Sequence, residues 1–285
     1  MALLFGLFAA LCWSIHDLAA RHYAPAMGAF RLGLRTEIAG FLILLPVLIS
    51  LPSASSENWL WVVALGVTYG GAIAGLFKAF AMAPVSVVGP FTAGYPALIV
   101  IWGMLHGLVP TPLQYGAIAA ILMGAIIVGR SGHDDGGINA VVGGKVWELV
   151  FWVVLADLCF ATSIVLGQKL GPVFGDAATA GVLRVPAALV LLPFALREGQ
   201  EPSANKPSTL LVIAVMGGLD VAALTGINFI GTLPNKEMGA MGISAYGAIA
   251  VLLAMIFLKE KVSSGQWLGI AMIAAGVAGL GIQIG

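Results

Sequence analysis

LCWSIHD at residues 11–17 reappears, loosely, as LCFATSI at 158–164, and the pairing decides how this chain is built. At the same offset of 147, GFLILLP at 40–46 falls on the stretch that ends in LVLLPFA at 189–195, so that LLP at 44–46 meets LLP at 191–193. Cys12 then pairs with Cys159, and Trp13 with Phe160. Towards the two ends, LQYGAIAAILMGAIIV (113–128) lies over GQWLGIAMIAAGVAGL (265–280) at an offset of 152, which matches Gln114 with Gln266 and Gly124 with Gly276. The chain therefore reads as two copies of one unit: residues 1–130, a linker at 131–145, and residues 146–285.

Composition names the solvent. Hydrophobic residues make up 60% of the 285 and charged residues 9%, with 13 basic and 13 acidic side chains. The mean hydropathy is +1.03. Ordinary soluble domains are about 25% charged, so this surface is suited to lipid. A membrane helix needs roughly 20 mostly apolar residues. Cutting at polar and Pro/Gly clusters predicts ten spans, at about 2–20, 26–50, 58–81, 84–108, 112–129, 146–168, 177–196, 208–230, 237–258 and 265–284. Prolines mark many of the ends, as a fixed φ and a missing N–H require. Pro84, Pro90 and Pro96 predict a kinked fourth span. The polar stretch Arg130–Lys145 reads as a flexible linker. The first span lacks the basic start of a signal peptide, and its removal would break one copy of the repeat.

Five spans per copy is an odd number, so the second copy enters the membrane upside down. The fold class is thus an all-α integral membrane protein with two inverted five-helix repeats. Inverted repeats of this kind build transporters, with a site near the midplane between the halves. They also build channels. The zero formal net charge gives no footprint for nucleic acid. Cys12 and Cys159 lie in apolar runs and read as small core residues, with no disulfide framework, metal-ligand spacing or cofactor motif beside them. An enzyme is disfavoured: no Gly-x-Ser-x-Gly and no paired His-Glu-His cluster occurs in a span.

The segment FLKEKVSSGQWLGIAMIAAGVAGL (257–280) resembles the closing signature of EamA-type members of the drug/metabolite transporter superfamily. Glu260, Gln266, Gly269 and Gly276 match that pattern. GVLRVPAALVLLP (181–193), with Arg184, and AFRLGLRTEIAGFLILLP (29–46) look like the family's second-helix motif in each copy. The first copy departs from the closing signature: HGLVPTP (106–112) stands where the second has LKEK, and brings no acid. The resemblance covers essentially the whole chain. It implies a secondary carrier of a small metabolite, commonly a proton-coupled exporter, in the cell membrane, here the bacterial inner membrane. It also implies helices 5 and 10 at the periphery around a central cavity. Those two spans carry no charge and are rich in Gly and Ala. Small residues let membrane helices approach closely, either within one monomer or across a homodimer.

A charge at the bilayer centre costs a few kcal/mol and usually faces a cavity or a partner. Asp220, in GGLDVAALTGIN (217–228), is the deepest carboxylate of the second copy, and Asn228 shares its helix face. A carboxylate withdrawn from water is easier to protonate, which makes Asp220 a candidate proton or cation site, or else a permanent partner for an Arg or a hydroxyl. Asp157 lies midway along the sixth span. Counted back from the matched prolines, Arg184 stands nearest Glu37 and Arg35. These arginines could bind a substrate carboxylate, or Arg184 could neutralise Asp157 or Asp220; the resemblance favours structural salt bridges. Glu37 keeps a coupling role open. His16 and Asp17 are read as the end of the first helix, with His16 able to relay protons and Asp17 snorkelling to the interface. His106 is read as ending the fourth. Trp13, Tyr95 and Tyr246 supply candidate cavity walls, the two tyrosines being related by an offset of 151.

Orientation has two opposed indicators. Arg21, Lys78, Arg130, Lys145, Arg197, Lys206, Lys259 and Lys261 fall on one side, against Lys169 and Lys236 on the other. The positive-inside rule then puts both termini outside, whereas the resemblance implies both inside. The cargo expected is a small molecule such as an amino acid or amphipathic compound, moved with protons or, alternatively, through an uncoupled facilitator or channel.

Overall fold

The computed structural model describes residues 1–105, 107, 109–131, 143–199, 207–233, 239, 242–243 and 245–280. Most of the 131–145 linker, His106, Lys206, Lys236 and much of the start of the ninth span lie outside these. Among the described residues all regular structure is helical. In chain order the helices are α1 (Ala2–Met27), α2 (Ala29–Leu48), α3 (Ser56–Met82), α4 (Val85–Thr92), α5 (Tyr95–Leu105) and α6 (Pro112–Arg130). Then follow α7 (Val146–Phe174), α8 (Asp176–Val182), α9 (Arg184–Ala195), α10 (Pro207–Ile230), α11 (Tyr246–Leu253, continued by a π-helical turn Ala254–Leu258) and α12 (Ser264–Leu280).

Among the described residues six segments are long and apolar enough to cross a membrane: α1, α3, α4 with α5, α7, α8 with α9, and α10. Pro112–Val128, Tyr246–Leu258 and Ser264–Leu280 are shorter apolar helices. α2 is long enough, but it carries Arg31, Arg35 and Glu37. The outer surface is apolar, with Leu42, Val63, Ile126, Phe151, Leu211 and Phe257 all exposed.

Two expected spans are broken. The fourth divides between α4 and α5 at Ala93–Gly94, between Pro90 and Pro96, as the proline content predicts. The seventh divides at Leu183, because Pro186 has no N–H to return to the Val182 carbonyl. The first span runs further than its sequence boundary, to Met27, and carries Pro25 in its last turn.

The repeat is visible in local detail. Gly28 follows α1 with φ 87°, and Gly175, at the offset of 147, follows α7 with φ 88°; a residue with a Cβ disfavours this conformation. Thr111 and Gln114 form a capping box, with Gln114 N–H to Thr111 Oγ1 at 3.3 Å and Thr111 N–H to Gln114 Oε1 at 2.9 Å. Ser263 and Gln266 repeat it at 3.2 and 2.9 Å.

Packing runs mainly between the copies. α1 packs on α10 and α3 on α7, while α2 lies against α9 and α6 against α12. At the last contact, a Cβ on Gly124 would lie 2.6 Å from the Gly269 carbonyl oxygen, and one on Gly276 would lie 2.7 Å from that of Ala117. Gly124 and Gly276 are matched at offset 152, and so are Ala117 and Gly269. The same contact is therefore made twice, once from each copy, and the glycine faces of α6 and α12 meet within one chain.

Candidate functional site

Five charged or titratable side chains are buried together where α1, α2, α9 and α10 meet: His16, Asp17, Glu37, Arg184 and Asp220, each no more than 2% exposed. Arg184, at the first residue of α9, anchors the group. Its Nη1 donates to Glu37 Oε2 at 3.1 Å and its Nη2 to Asp220 Oδ2 at 2.9 Å. The guanidinium packs against Gly40, where a Cβ would come within 2.5 Å of Arg184 Cζ. Asp220 Oδ1 also accepts from Tyr69 OH at 2.6 Å and from Trp13 Nε1–H at 3.0 Å. Three donors thus hold Asp220. Glu37 Oε1, by contrast, has no hydrogen-bond partner among the described residues.

Two of these contacts join residues that the repeat relates to each other. Glu37 and Arg184 differ by 147 in number, and Tyr69 and Asp220 by 151. Trp13 and its counterpart Phe160 also meet, with ring centroids 6.1 Å apart.

Beside the charge cluster lies a narrow, partly open cavity, whose non-atom space of about 500 Å³ includes its open mouth. Asp220, Trp13, Tyr95, Tyr246 and His16 line it, as do Asp17, Phe160 and Thr92. Asp17 Oδ2 accepts from Tyr246 OH, and Asp17 Oδ1 pairs with His16 Nδ1 at 2.8 Å. His16 Nε2 has no partner among the described residues. These two residues correct the sequence reading. They sit mid-helix and buried, because α1 continues for ten residues beyond Asp17. Asp17 therefore does not snorkel. Its carboxylate is satisfied across the cavity by a tyrosine of the other copy.

The other candidates stand apart from the cavity. Asn228 is buried on the same face as Asp220 but eight residues on, ~12 Å along a helix, and donates to the Asp176 carbonyl at 3.3 Å. Asp157 is half-buried on α7, with Oδ1 unpartnered among the described residues. Arg35 is half-buried on α2. Arg184 and Glu37 lie behind Asp220 and are not among the cavity's described lining residues. Sequence reasoning missed Tyr69 and Phe160. Tyr69 sits in an apolar run before Gly70–Gly71 with no charge to draw notice. Phe160 was signalled by its match to Trp13. Among the described residues no group of three His, Cys, Asp or Glu side chains is placed to hold a metal ion.

Known proteins bear on this arrangement. The EamA-like transporter family matches residues 1–130 and again 147–282. A solved crystal structure, described no further than as that of a protein, aligns over 98% of this chain and 95% of its own at 23% identity, with a TM-score of 0.66. That likeness concerns the fold. No curated protein matches the chain. The chain belongs to the EamA-like transporter family. It is a multi-pass membrane protein and a transporter of the drug/metabolite type.

Proposed function

We propose that this protein is a proton-coupled secondary carrier of a small metabolite, an exporter of the bacterial inner membrane. Ten spans form two inverted five-helix repeats that alternate access to the Trp13–Tyr246 cavity. The observation that carries this reading is the meeting of repeat-related residues at the centre, Glu37 with Arg184 and Tyr69 with Asp220. Residues related by a two-fold axis touch each other only where they lie on it. A cavity beside that axis is where inverted-repeat carriers hold their cargo.

Proton coupling is supported by the charge count. Three acids, Asp17, Glu37 and Asp220, share one guanidinium, which pairs with Glu37 and Asp220, and one titratable imidazole, His16, which pairs with Asp17. Buried charge that is not balanced is costly, and a proton balances it. Asp220 fits the role of a strut, since its donors come from three helices. Glu37 is the better coupling candidate, because Oε1 is free to carry a proton without breaking the bond to Arg184.

The test uses purified protein in liposomes with a trapped pH dye, to which amino acids, amines and organic acids are added singly. A pH change with one solute, lost in Glu37→Gln while solute exchange persists, is the expected result. Solute flux with no pH change would overturn coupling and leave an uncoupled facilitator. A homodimer built on α6 and α12 would use their outer faces, since the glycines of the inner faces are already in contact.

A further inference from the structure

We infer that the cavity between Asp17 and Phe160 is a binding site for an organic ammonium ion, an amine with an apolar body, and that carboxylates are not its ligands. The inference deepens the carrier reading, on which its physiological meaning rests, by assigning the substrate class.

The charge available to a ligand is negative. Among the described residues the charged or titratable side chains that line the cavity are Asp17, Asp220 and His16; Asp220 is already held by three donors, one of them Arg184, so Asp17 is the acid that a ligand faces. Arg184 is withheld. Both of its terminal nitrogens are committed to carboxylates, it packs against Gly40, and it is not among the cavity's described lining residues; its Nε has no partner among the described residues. A ligand carboxylate would meet Asp17 and no guanidinium.

The polar atoms on offer among the described residues are the carboxylate of Asp17, the far nitrogen of His16 and the Tyr95 hydroxyl, which can accept or donate. Asp17 can only accept when ionised, so its bond to His16 requires the proton on Nδ1. With His16 neutral, Nε2 is a bare acceptor; in the imidazolium it is a second donor. It is buried in a side chain 1% exposed, it is unpartnered, and its ring lines the cavity. An ammonium N–H supplies the donor that Nε2 lacks, and its charge faces Asp17.

The walls suit a cation with an apolar body. Phe160 is the centre of an aromatic cluster, with Trp13 at 6.1 Å, Tyr69 at 6.0 Å and Tyr95 at 6.3 Å between centroids. Aromatic faces attract ammonium groups, the more so when water is excluded. Ile73 and Leu76 complete an apolar floor for the rest of the molecule.

The experiment compares three near-isosteric probes on purified protein by isothermal titration: phenethylammonium, phenethyl alcohol and 3-phenylpropionate. Counterflow in proteoliposomes is then run with each. Phenethylammonium is expected to bind at least tenfold more tightly than the alcohol, with no binding of the carboxylate. Asp17→Asn is expected to weaken the amine by at least about thirtyfold, the loss typical when a buried charge partner is truncated, while the alcohol changes little. Phe160→Leu, which keeps the charges, is expected to weaken the amine by about fivefold; this second variant covers the case in which Asp17→Asn does not fold. Equal or tighter binding of 3-phenylpropionate, no binding of the amine, or unchanged amine affinity in the folded variants would overturn the inference. Flux of the alcohol or the carboxylate without amine binding would sink the substrate class and leave the carrier standing. Amine binding without flux of any probe would do the reverse.

Discussion

Replacing Arg184 by Met should be the most damaging single change in the charge cluster. Its side chain has 0% exposure, and so has that of Glu37, with Asp220 at 1%. Met fills similar volume, so the cost is electrostatic. Asp220 would keep Tyr69 and Trp13 as donors. Glu37 would keep none, because Oε2 has only Arg184 and Oε1 has no partner. Removing one partner of a buried pair costs about 3–5 kcal/mol, since an uncompensated charge is left inside. Glu37→Gln is different: a carbonyl oxygen still accepts from Arg184, and Asp220 still neutralises it. That change should cost no more than about 1 kcal/mol. In the double variant Glu37→Gln/Arg184→Met no charge is stranded at position 37, so the two losses should fail to add by about 1–3 kcal/mol. The assay is equilibrium unfolding by SDS in mixed micelles, followed by far-ultraviolet circular dichroism. A thiol-reactive dye on the free Cys12 and Cys159 provides a second probe. An Arg184→Met variant within about 1 kcal/mol of the parent, or strict additivity in the cycle, would refute the account of Arg184 as the neutralising centre.

Three further outcomes can be checked with the same assay. Tyr69→Phe removes a 2.6 Å donor to a buried carboxylate and should cost about 1.5–3 kcal/mol; a neutral effect would mean that Trp13 and Arg184 suffice for Asp220. Gly269→Ala places a methyl 2.6 Å from the Gly124 carbonyl oxygen and should cost about 1–3 kcal/mol by forcing α6 from α12, whereas an unchanged unfolding midpoint would mean that the helices separate freely. Glu260 accepts from Val85 N–H at 3.0 Å and Ser86 N–H at 2.9 Å, capping α4. Glu260→Ala should cost about 1 kcal/mol, with hydrogen exchange rising first at those two amides.

What the sequence made legible was whatever repeats. The offset of 147 set Arg184 opposite Glu37 as a counterpart, though not as the partner it proves to be; of the two acids weighed as partners for Arg184, Asp157 and Asp220, the structure bonds it to Asp220. Tyr95 and Tyr246, matched at 151, both line the cavity. Proline spacing located the break in the fourth span. What was not legible depends on distance across the fold. Asp17 was misread because a polar stretch, HDLAARHY, resembles the end of a span, although its polar atoms are met from other helices: Asp17 by Tyr246, and Arg21 by the Phe80 carbonyl at 2.6 Å. The break at Leu183 went unread because Pro186 was taken within an uninterrupted apolar run. Asn228 was placed correctly on the Asp220 face, yet a helix face does not specify depth, and it serves Asp176 instead. Glu260 was recognised as part of a signature, but its task of closing the α4 N-terminus follows only from the fold.

The repeat itself sorts the central contacts by what they can do. In the inverted-repeat reading, the two access states arise when the copies exchange conformations. A contact between a residue and its own counterpart is unaltered by that exchange. Glu37–Arg184, Tyr69–Asp220 and Trp13–Phe160 are of this kind, and they bias neither state. Such positions must also abandon identity between the copies, since two glutamates or two arginines on an axis would repel; the unlike pairs are what the axis demands. Contacts between unrelated residues behave otherwise, because each is exchanged for a chemically different one. Asp17–Tyr246 is exchanged for the contact between Ile164 and Tyr95, which has no charge, and Trp13–Asp220 for that between Phe160 and Tyr69. A ligand shifts an equilibrium only by its differential affinity for the two states. Arg184–Asp220 is likewise exchanged for Glu37 with Tyr69, so Asp17 and Asp220 are the carboxylates whose surroundings change. A charge bound against Asp17 can therefore drive the transition, and a proton taken up at Glu37 acts on it through Arg184, whose bond to Asp220 is one of the contacts that the exchange remakes.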